Sequence, residues 1–415
     1  MIKILHLADV HLDTAFQCRS DTLRQQLREG LRTAFQRAID YALEESVQAV
    51  LIAGDLFDDE RLSFKTERFL IEQCKRLDQA EIPCFYVTGN HDPGGGSHRA
   101  SRIAWPSSFR YIHRGTPAVF PLVNEAGEVV ARIVAAGHVT KHVAENLAAA
   151  FPPAEDAVPH IGLLHTQVTT AKDADNHDRY APCSVEDLQR AGCQYWALGH
   201  IHIRQQVCAT PQAWYAGNIQ GRNPRETGPK GGLLVSLEGQ SVAEMTFRAF
   251  APFEWVEVIL DDLGDIHTLH DLAQTARHAF NEMVASQDPA DDYLLRLVLQ
   301  GRCPLAEDLS QPEQREELEL ELTYLLGVAY VEVRLDHLIP LVDVDAYRDQ
   351  PHLLGEVLSI LRILRSHPGA LQEVIPDTLA GCGPDAEERM AYIADLLEGM
   401  EEEAILHLLK AAISG

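Results

Sequence analysis

No run of about twenty apolar residues occurs in this 415-residue chain, so no helical membrane span is expected and no membrane partner. A strand-like run starts at Ile2, so no signal peptide is expected either. The eight cysteines are scattered and form no Cys-x-x-Cys pair, which excludes a disulfide framework and reads as reduced, mostly buried thiols in the cytoplasm. Basic residues are scarce: 35 Lys+Arg stand against 62 Asp+Glu, for a formal charge of −27. That excludes a nucleic-acid binder of the simple, uniformly basic kind. The shortage is uneven, with 25 basic against 29 acidic residues in 1–250 and 10 against 33 in 251–415. The glycine run Gly94-Gly95-Gly96 lacks the Gly-Lys-Ser/Thr ending of a P-loop and reads as a mobile loop.

What the chain does have is five short polar clusters, each directly after an apolar run of strand length. Asp9-Val10-His11 follows Ile2–Ala8, and Gly54-Asp55-Leu56-Phe57-Asp58 follows Ala49–Ala53. Gly89-Asn90-His91-Asp92 follows Cys84–Thr88, His165 closes Ile161–Leu164, and Gly199-His200-Ile201-His202 follows Tyr195–Leu198. In an open α/β sheet the ligand crevice lies beyond the carboxyl ends of the strands. Five strands are therefore expected to deliver Asp, His and Asn side chains to one rim.

Any one cluster alone reads as a turn, a helix cap or a satisfied core histidine. The last is the least ordinary, because in an extended backbone His200 and His202 would share one face. Together they read as a metal centre. Carboxylate, imidazole and amide oxygen suit manganese, iron or zinc, and the absence of thiolate argues against a closed structural zinc site. Two ions roughly 3.5–4 Å apart can clamp a phosphate and lower the pKa of a bound water. Metal-assisted phosphoester hydrolysis is the natural reaction of such a set.

In this order the five segments resemble the calcineurin-like metallophosphoesterase superfamily, and within it the SbcD-type nuclease subunits of bacterial DNA-end processing. The stretches Trp214-Tyr215-Ala216-Gly217-Asn218-Ile219-Gln220-Gly221-Arg222-Asn223 and Glu226-Thr227-Gly228-Pro229-Lys230-Gly231-Gly232 resemble the YhaO branch. The likeness covers roughly residues 1–250. It implies that Asp9, His11 and His202 hold one ion, that Asn90, His165 and His200 hold the other, and that Asp55 bridges them. The ions would be manganese, with iron, zinc or magnesium as alternatives. His91 would face the scissile phosphate as an acid or electrostatic stabiliser. Asp58 would belong to the catalytic set, at a position where archaeal and eukaryotic relatives carry histidine. Arg99, Arg102, Arg222, Arg225 and Lys230 are candidate phosphate contacts, with solvated loop charge as the equal alternative.

The fold implied is α/β: a metallophosphoesterase sandwich of two packed sheets flanked by helices over 1–250, a small α/β capping domain over 251–345, and a helical segment over 346–415. Asp21–Glu45 and Ser63–Gln79 read as amphipathic helices of the first part. Phe253–Leu260, His267–Ala285, Tyr293–Leu299, Pro312–Leu325 and Val328–Leu335 give a β-α-β-α-β order in the second. Leu353–Leu364, Ala370–Leu379 and Asp385–Ile413 read as helices of the third; the last carries an apolar stripe that either packs on its own domain or docks on an SbcC-like ATPase. The resulting expectation is a two-metal DNA phosphodiesterase, an exonuclease of DNA-end processing, with homodimerisation as a family trait. A cyclic-nucleotide type of small-molecule phosphoesterase and a non-catalytic DNA-end scaffold are the alternatives. A phosphoprotein phosphatase fits less well, because no Arg-Gly pair follows Asp58 and Asp92 stands where that class has Glu.

Overall fold

The computed structural model describes residues 1–16, 20–58, 62–95, 102–173, 179–285, 290–341, 344–347 and 352–366, with 397, 400–401, 404–405 and 408 from the final stretch. Two compact units are present: Met1–Leu260 with Ala273–Leu299 and Arg315–Arg334, and Asp261–Leu272 with Gln300–Gln314 and Leu335–Gly415.

Strands of the first unit alternate with helices over residues 2–87, and most of the later strands follow one another directly. They are β1 (Ile2–Leu7), β2 (Ala49–Ala53), β3 (Cys84–Val87), β4 (Phe109–Ile112), β5 (Ala118–Val123) and β6 (Val129–Ala136), then β7 (His160–His165), β8 (Tyr195–Gly199), β9 (Gln205–Cys208), β10 (Gln212–Tyr215), β11 (Gly231–Glu238) and β12 (Ser241–Ala249). They form two six-stranded sheets, ordered β12-β11-β1-β2-β3-β4 and β5-β6-β7-β8-β10-β9. Each sheet has a parallel centre, β1-β2-β3-β4 in one and β6-β7-β8-β10 in the other. All five ligand-bearing strands lie in these parallel centres, so their carboxyl ends share a direction within each sheet.

The period-2 alternation of strands sorts the core into layers. In β2, Ala49, Leu51 and Ala53 face the layer between the sheets, with Ile4, Val87, Ile133, Leu163 and Ala197. Val50 and Ile52 face the opposite way, onto helices α1 (Asp21–Glu44) and α2 (Phe64–Gln79). Both helices start at a serine: Ser20 accepts from the Leu23 N–H and Ser63 from the Thr66 N–H. The stripe Leu23, Leu27, Leu31, Phe35 and Ile39 of α1 is buried, as its spacing predicts. Leu51 is fully buried in the middle layer, where truncation to alanine costs about 2–5 kcal/mol. A short helix, α3 (Val185–Arg190), and the strands β9 and β10 have no counterpart in the sequence reading.

Beyond β12 a three-stranded sheet forms from β13 (Phe253–Leu260), β14 (Asp292–Cys303) and β15 (Tyr330–Pro340), with β13 and β14 parallel. Between them run α4 (Leu269–Val284), α5 (Ala306–Ser310) and α6 (Pro312–Leu326). This is the expected β-α-β-α-β order, with β14 and β15 extending further toward the C-terminus than expected. In the second unit, α7 (Val344–Tyr347) precedes α8 (Leu353–Ser366). Leu354 and Leu358 of α8 bury against Ile405, and Leu361 against Leu397. The expected helix Ala370–Leu379 and most of Asp385–Ile413 lie outside the described residues.

Candidate metal centre

The five clusters sit where parallel strands end. Asp9 and His11 leave β1, Asp55 and Asp58 leave β2, and Asn90 and His91 leave β3; His165 closes β7, and His200 and His202 leave β8. The chain turns sharply at these ends. Asp9, His11 and Asp55 have φ of 48°, 48° and 49°, a region that Asp and His tolerate better than most residues. Gly54 precedes Asp55 at φ 89°, and a Cβ there would run into the His165 ring. His200 has φ 110°, so the backbone does not continue extended beyond β8. The expected alternation of His200 and His202 on one strand face is therefore corrected. The turn sends His202 toward Asp9 and His11 and leaves the His200 ring edge-on to His165, at 5.3 Å between centroids.

Three imidazoles are held by the same device. The Nδ1–H of His11 donates to Asp58 (3.2 Å), that of His202 to Glu226 (2.9 Å) and that of His165 to the Ala53 carbonyl (2.9 Å). Each bond fixes the tautomer and leaves the Nε2 lone pair free to face inward, the arrangement typical of histidine that binds metal. The inward atoms converge. His11 Nε2 lies 3.2 Å from His202 Nε2 and 3.6 Å from Asp55 Oδ2. His165 Nε2 lies 3.5 Å from the same Asp55 oxygen and 2.9 Å from Asn90 Oδ1. His202 Nε2 is 4.0 Å from Asp9 Oδ1. Two ligand atoms that share an ion at about 2.1 Å, at octahedral to tetrahedral angles, stand roughly 3.0–3.4 Å apart. The His11–His202 spacing of 3.2 Å falls in that range and the others, from 2.9 to 4.0 Å, lie within about 0.6 Å of it; one oxygen of Asp55 belongs to both groups.

Electrostatics gives the same answer. Asp9 and Asp55 are almost fully buried. Burial raises both carboxyls; Asp55 itself pushes Asp9 up further, and Asp55 reaches about 7. Burial also pushes the His11 and His165 imidazoles well below their ordinary value, so both are neutral and able to bind a cation. Two buried carboxylates beside neutral imidazoles need cations to offset their desolvation. The residues therefore fit a pair of divalent ions: Asp9, His11 and His202 could hold one, Asn90, His165 and His200 the other, with Asp55 between.

Around this set, Asp58 carries more than the sequence suggests. It accepts from His11 and from Arg222, the latter at 3.1 and 3.2 Å, and pairs with His91 Nδ1 at 3.1 Å. Burial acts to raise its carboxyl, but the hydrogen bonds from His11 and His91 outweigh that and hold it well below the usual range. Burial lowers His91, yet the bond to Asp58 and the charge of Asp55 leave it net raised. Asp92 ties two loops together, accepting the N–H groups of Leu56, Phe57 and Gly89 and the Tyr86 hydroxyl.

Sequence reasoning missed the role of Glu226. Its carboxylate accepts from His202, from Asn218 (2.6 Å), from the Arg222 N–H (2.7 Å) and from Asn223 (2.9 Å). Burial would raise it, but the charge and hydrogen bond of His202 hold it well below the usual range. The only sequence signal is its place in the Trp214–Gly232 stretch. Of the other candidates, Arg222 joins the site through Asp58, while Arg225 is exposed on a cleft shared with His202. Lys230 is buried, its ammonium 3.4 Å from the His202 carbonyl. Arg102 is exposed, with no recorded contact to the centre, and Arg99 lies outside the described residues.

Residues 2–204 match the calcineurin-like phosphoesterase family, and 253–329 match the metallophosphoesterase YhaO middle domain. The metallophosphoesterase YhaO of Bacillus subtilis is 33% identical over 307 residues, spanning 73% of this chain and 72% of its own. The chain belongs to the calcineurin-like metallophosphoesterase family. Among further relatives, the DNA double-strand break repair protein Mre11 of Sulfolobus acidocaldarius is 33% identical, over 99% of this chain and 98% of its own. Mre11 of Aeropyrum pernix is 25% identical, over 74% and 75%. This metallophosphoesterase is thus a hydrolase of a family that uses two divalent metal ions, and it carries residue clusters that could hold a metal ion. No helix among its described residues is long and apolar enough to cross a membrane.

Proposed function

We propose that this chain is a two-metal phosphodiesterase that cuts DNA, an exonuclease of DNA-end processing working with an SbcC-like ATPase in the cytoplasm. One observation supports a polyanionic substrate above all. Arg204, Arg225, Lys230, Arg296 and Arg334 line a single cleft with His202, against the carboxylates Asp173 and Glu226 there and Glu332 paired to Arg296, in a chain whose net charge is −27. A small phosphoester needs no such run of cations, whereas a nucleic-acid backbone does. Relatives named for DNA double-strand break repair support the same substrate.

When bound, two divalent ions, manganese in this proposal, would polarise the phosphate and make water acidic enough to supply the nucleophile. The chain's own residues do the rest. Asp9, His11, His202 and Asp55, with Asn90, His165 and His200, fix where the phosphate sits. His91 is held through Nδ1 by Asp58, which leaves its other nitrogen to meet a phosphate oxygen or the leaving oxygen and hand over a proton. Its raised pKa suits that task. Arg222 neutralises Asp58 and keeps a guanidinium at the edge of the centre.

The test uses the full chain with end-labelled linear and closed circular DNA, with manganese or with EDTA, beside a small diester. Manganese-dependent shortening from the ends is expected. Turnover of the small diester with no action on DNA would make it a small-molecule phosphoesterase, and DNA binding with no cleavage of anything would make it a scaffold. The C-terminal helices and the homodimer belong to the same proposal and are tested by co-purification and by mass in solution.

A further inference from the structure

A second cleft, of about 440 Å³, adjoins the basic one and shares Asn223, Glu226 and Arg296 with it. It reaches Asp58 and Glu226, the two carboxylates bonded to His11 and His202, so its inner end lies one side chain from the proposed ions. Its size falls in the range of small-ligand pockets, about 300–1,000 Å³.

Its lining differs in kind from the basic cleft. Phe16 and Trp255 are buried walls, and Tyr330 meets Trp255 edge-to-face at 6.2 Å, which makes an aromatic corner. Its charges are Arg222 and Arg296 against Asp58, Glu226 and Glu332, a balance that repels a phosphate chain but tolerates a neutral planar group. Two donors there meet no acceptor among the described residues. The Trp255 indole N–H is buried without a hydrogen bond, on a side chain only 6% exposed, and Arg222 Nε is likewise unmet. Indole and guanidinium can only donate, so each is able to take an acceptor that a ligand brings. The wall is also built against local preference: Phe16 has φ 35°, a region that bulky residues avoid and that marks functional loops. Gly221 lets the indole sit where it does, since a Cβ there would come within 2.9 Å of the ring.

We infer that this cleft is a nucleoside subsite: it takes the base of the nucleotide whose phosphate occupies the metal centre. The base stacks in the Trp255–Tyr330 corner and its carbonyl or ring nitrogen accepts from the indole N–H. Arg222 Nε meets an oxygen of the attached phosphate. The inference rests on the DNA phosphodiesterase reading and adds to it a site for an unstacked terminal base.

The test compares thymidine 5′-(p-nitrophenyl phosphate), which carries one nucleoside, with bis(p-nitrophenyl) phosphate, which carries none, and with end-labelled DNA. Tyr330→Leu removes a stacking face and Trp255→Phe removes the donor while keeping a ring. With metal content per chain unchanged, the kcat/KM ratio of the thymidine ester to the bis ester should fall about tenfold to a hundredfold in Tyr330→Leu. It should fall about threefold to tenfold in Trp255→Phe. If Trp255→Phe fails to fold, Tyr330→Leu decides alone. An unchanged ratio in well-folded variants, with DNA still degraded, overturns the subsite and leaves the nuclease reading intact. A ratio that falls while the parent protein leaves DNA untouched does the reverse. Action on the bis ester alone overturns both.

Discussion

Glu226→Gln is the perturbation that separates a supported metal site from a coincidence of polar residues. The carboxylate takes four hydrogen bonds, from His202, Asn218, Asn223 and the Arg222 N–H, at 2.6–2.9 Å. Glutamine keeps the shape but replaces one acceptor oxygen with an NH₂ group, which faces donors on either side. Either Asn218 and Arg222 or His202 and Asn223 lose their acceptor. A hydrogen bond to a charged group is worth about 1.5–3 kcal/mol. The loss reaches the ion because His202 Nε2 faces it only while Nδ1 is pinned. Substituting such an outer carboxylate typically costs about 10–100-fold in metal affinity or activity. Calorimetric titration of manganese into metal-free protein would read this directly. The expected result is one weakened site and one near its parent affinity, since Asn90 and His165 do not touch Glu226. Unchanged affinity at both sites, with unchanged turnover, would refute the reasoning.

The remaining predictions concern the centre and the tail. Asp55→Ala should leave a folded chain that has lost both ions and its activity, measured by elemental analysis and by cleavage; two retained ions would remove Asp55 from the bridge. His91→Ala should keep both ions while turnover drops about 10²–10⁴-fold, the worth of a positioned acid or stabiliser. Metal loss in that variant would move His91 into the coordination set. On α8, Ile360 and Ile363 are 56% and 50% exposed, whereas Leu397 is buried against Leu361. Ile360→Glu with Ile363→Glu should therefore leave the melting temperature in place and abolish co-purification with the ATPase; full co-purification would place the docking face elsewhere.

The strand-end clusters were legible because each joins two strong local signals, an apolar run and a polar residue type with one dominant chemistry. The fold needed only that strands be parallel for those ends to converge, and the β-α alternation of 1–90 supplies it. What could not be read was set by backbone turns and distant partners. The extended alternation assumed for His200 and His202 fails because φ turns positive at His200, which no residue type announces. Glu226 looks like one more loop charge among Arg222, Arg225 and Lys230; only the fold brings it to His202, 24 residues away. The order β8-β10-β9, with β10 parallel to β8, carries no local sequence signal. Most of the expected last helix lies outside the described residues; of its stripe, Leu397 and Ile405 pack within their own unit.

The central claim is that two ions share Asp55. Crystals of the full chain soaked in manganese chloride, with anomalous differences measured near the manganese edge, test it most directly. Two peaks roughly 3.5–4 Å apart are expected. One should lie among Asp9, His11 and His202 and the other among Asn90, His165 and His200, with the Asp55 carboxylate reaching both. A single peak, or two peaks with Asp55 contacting only one, would contradict it.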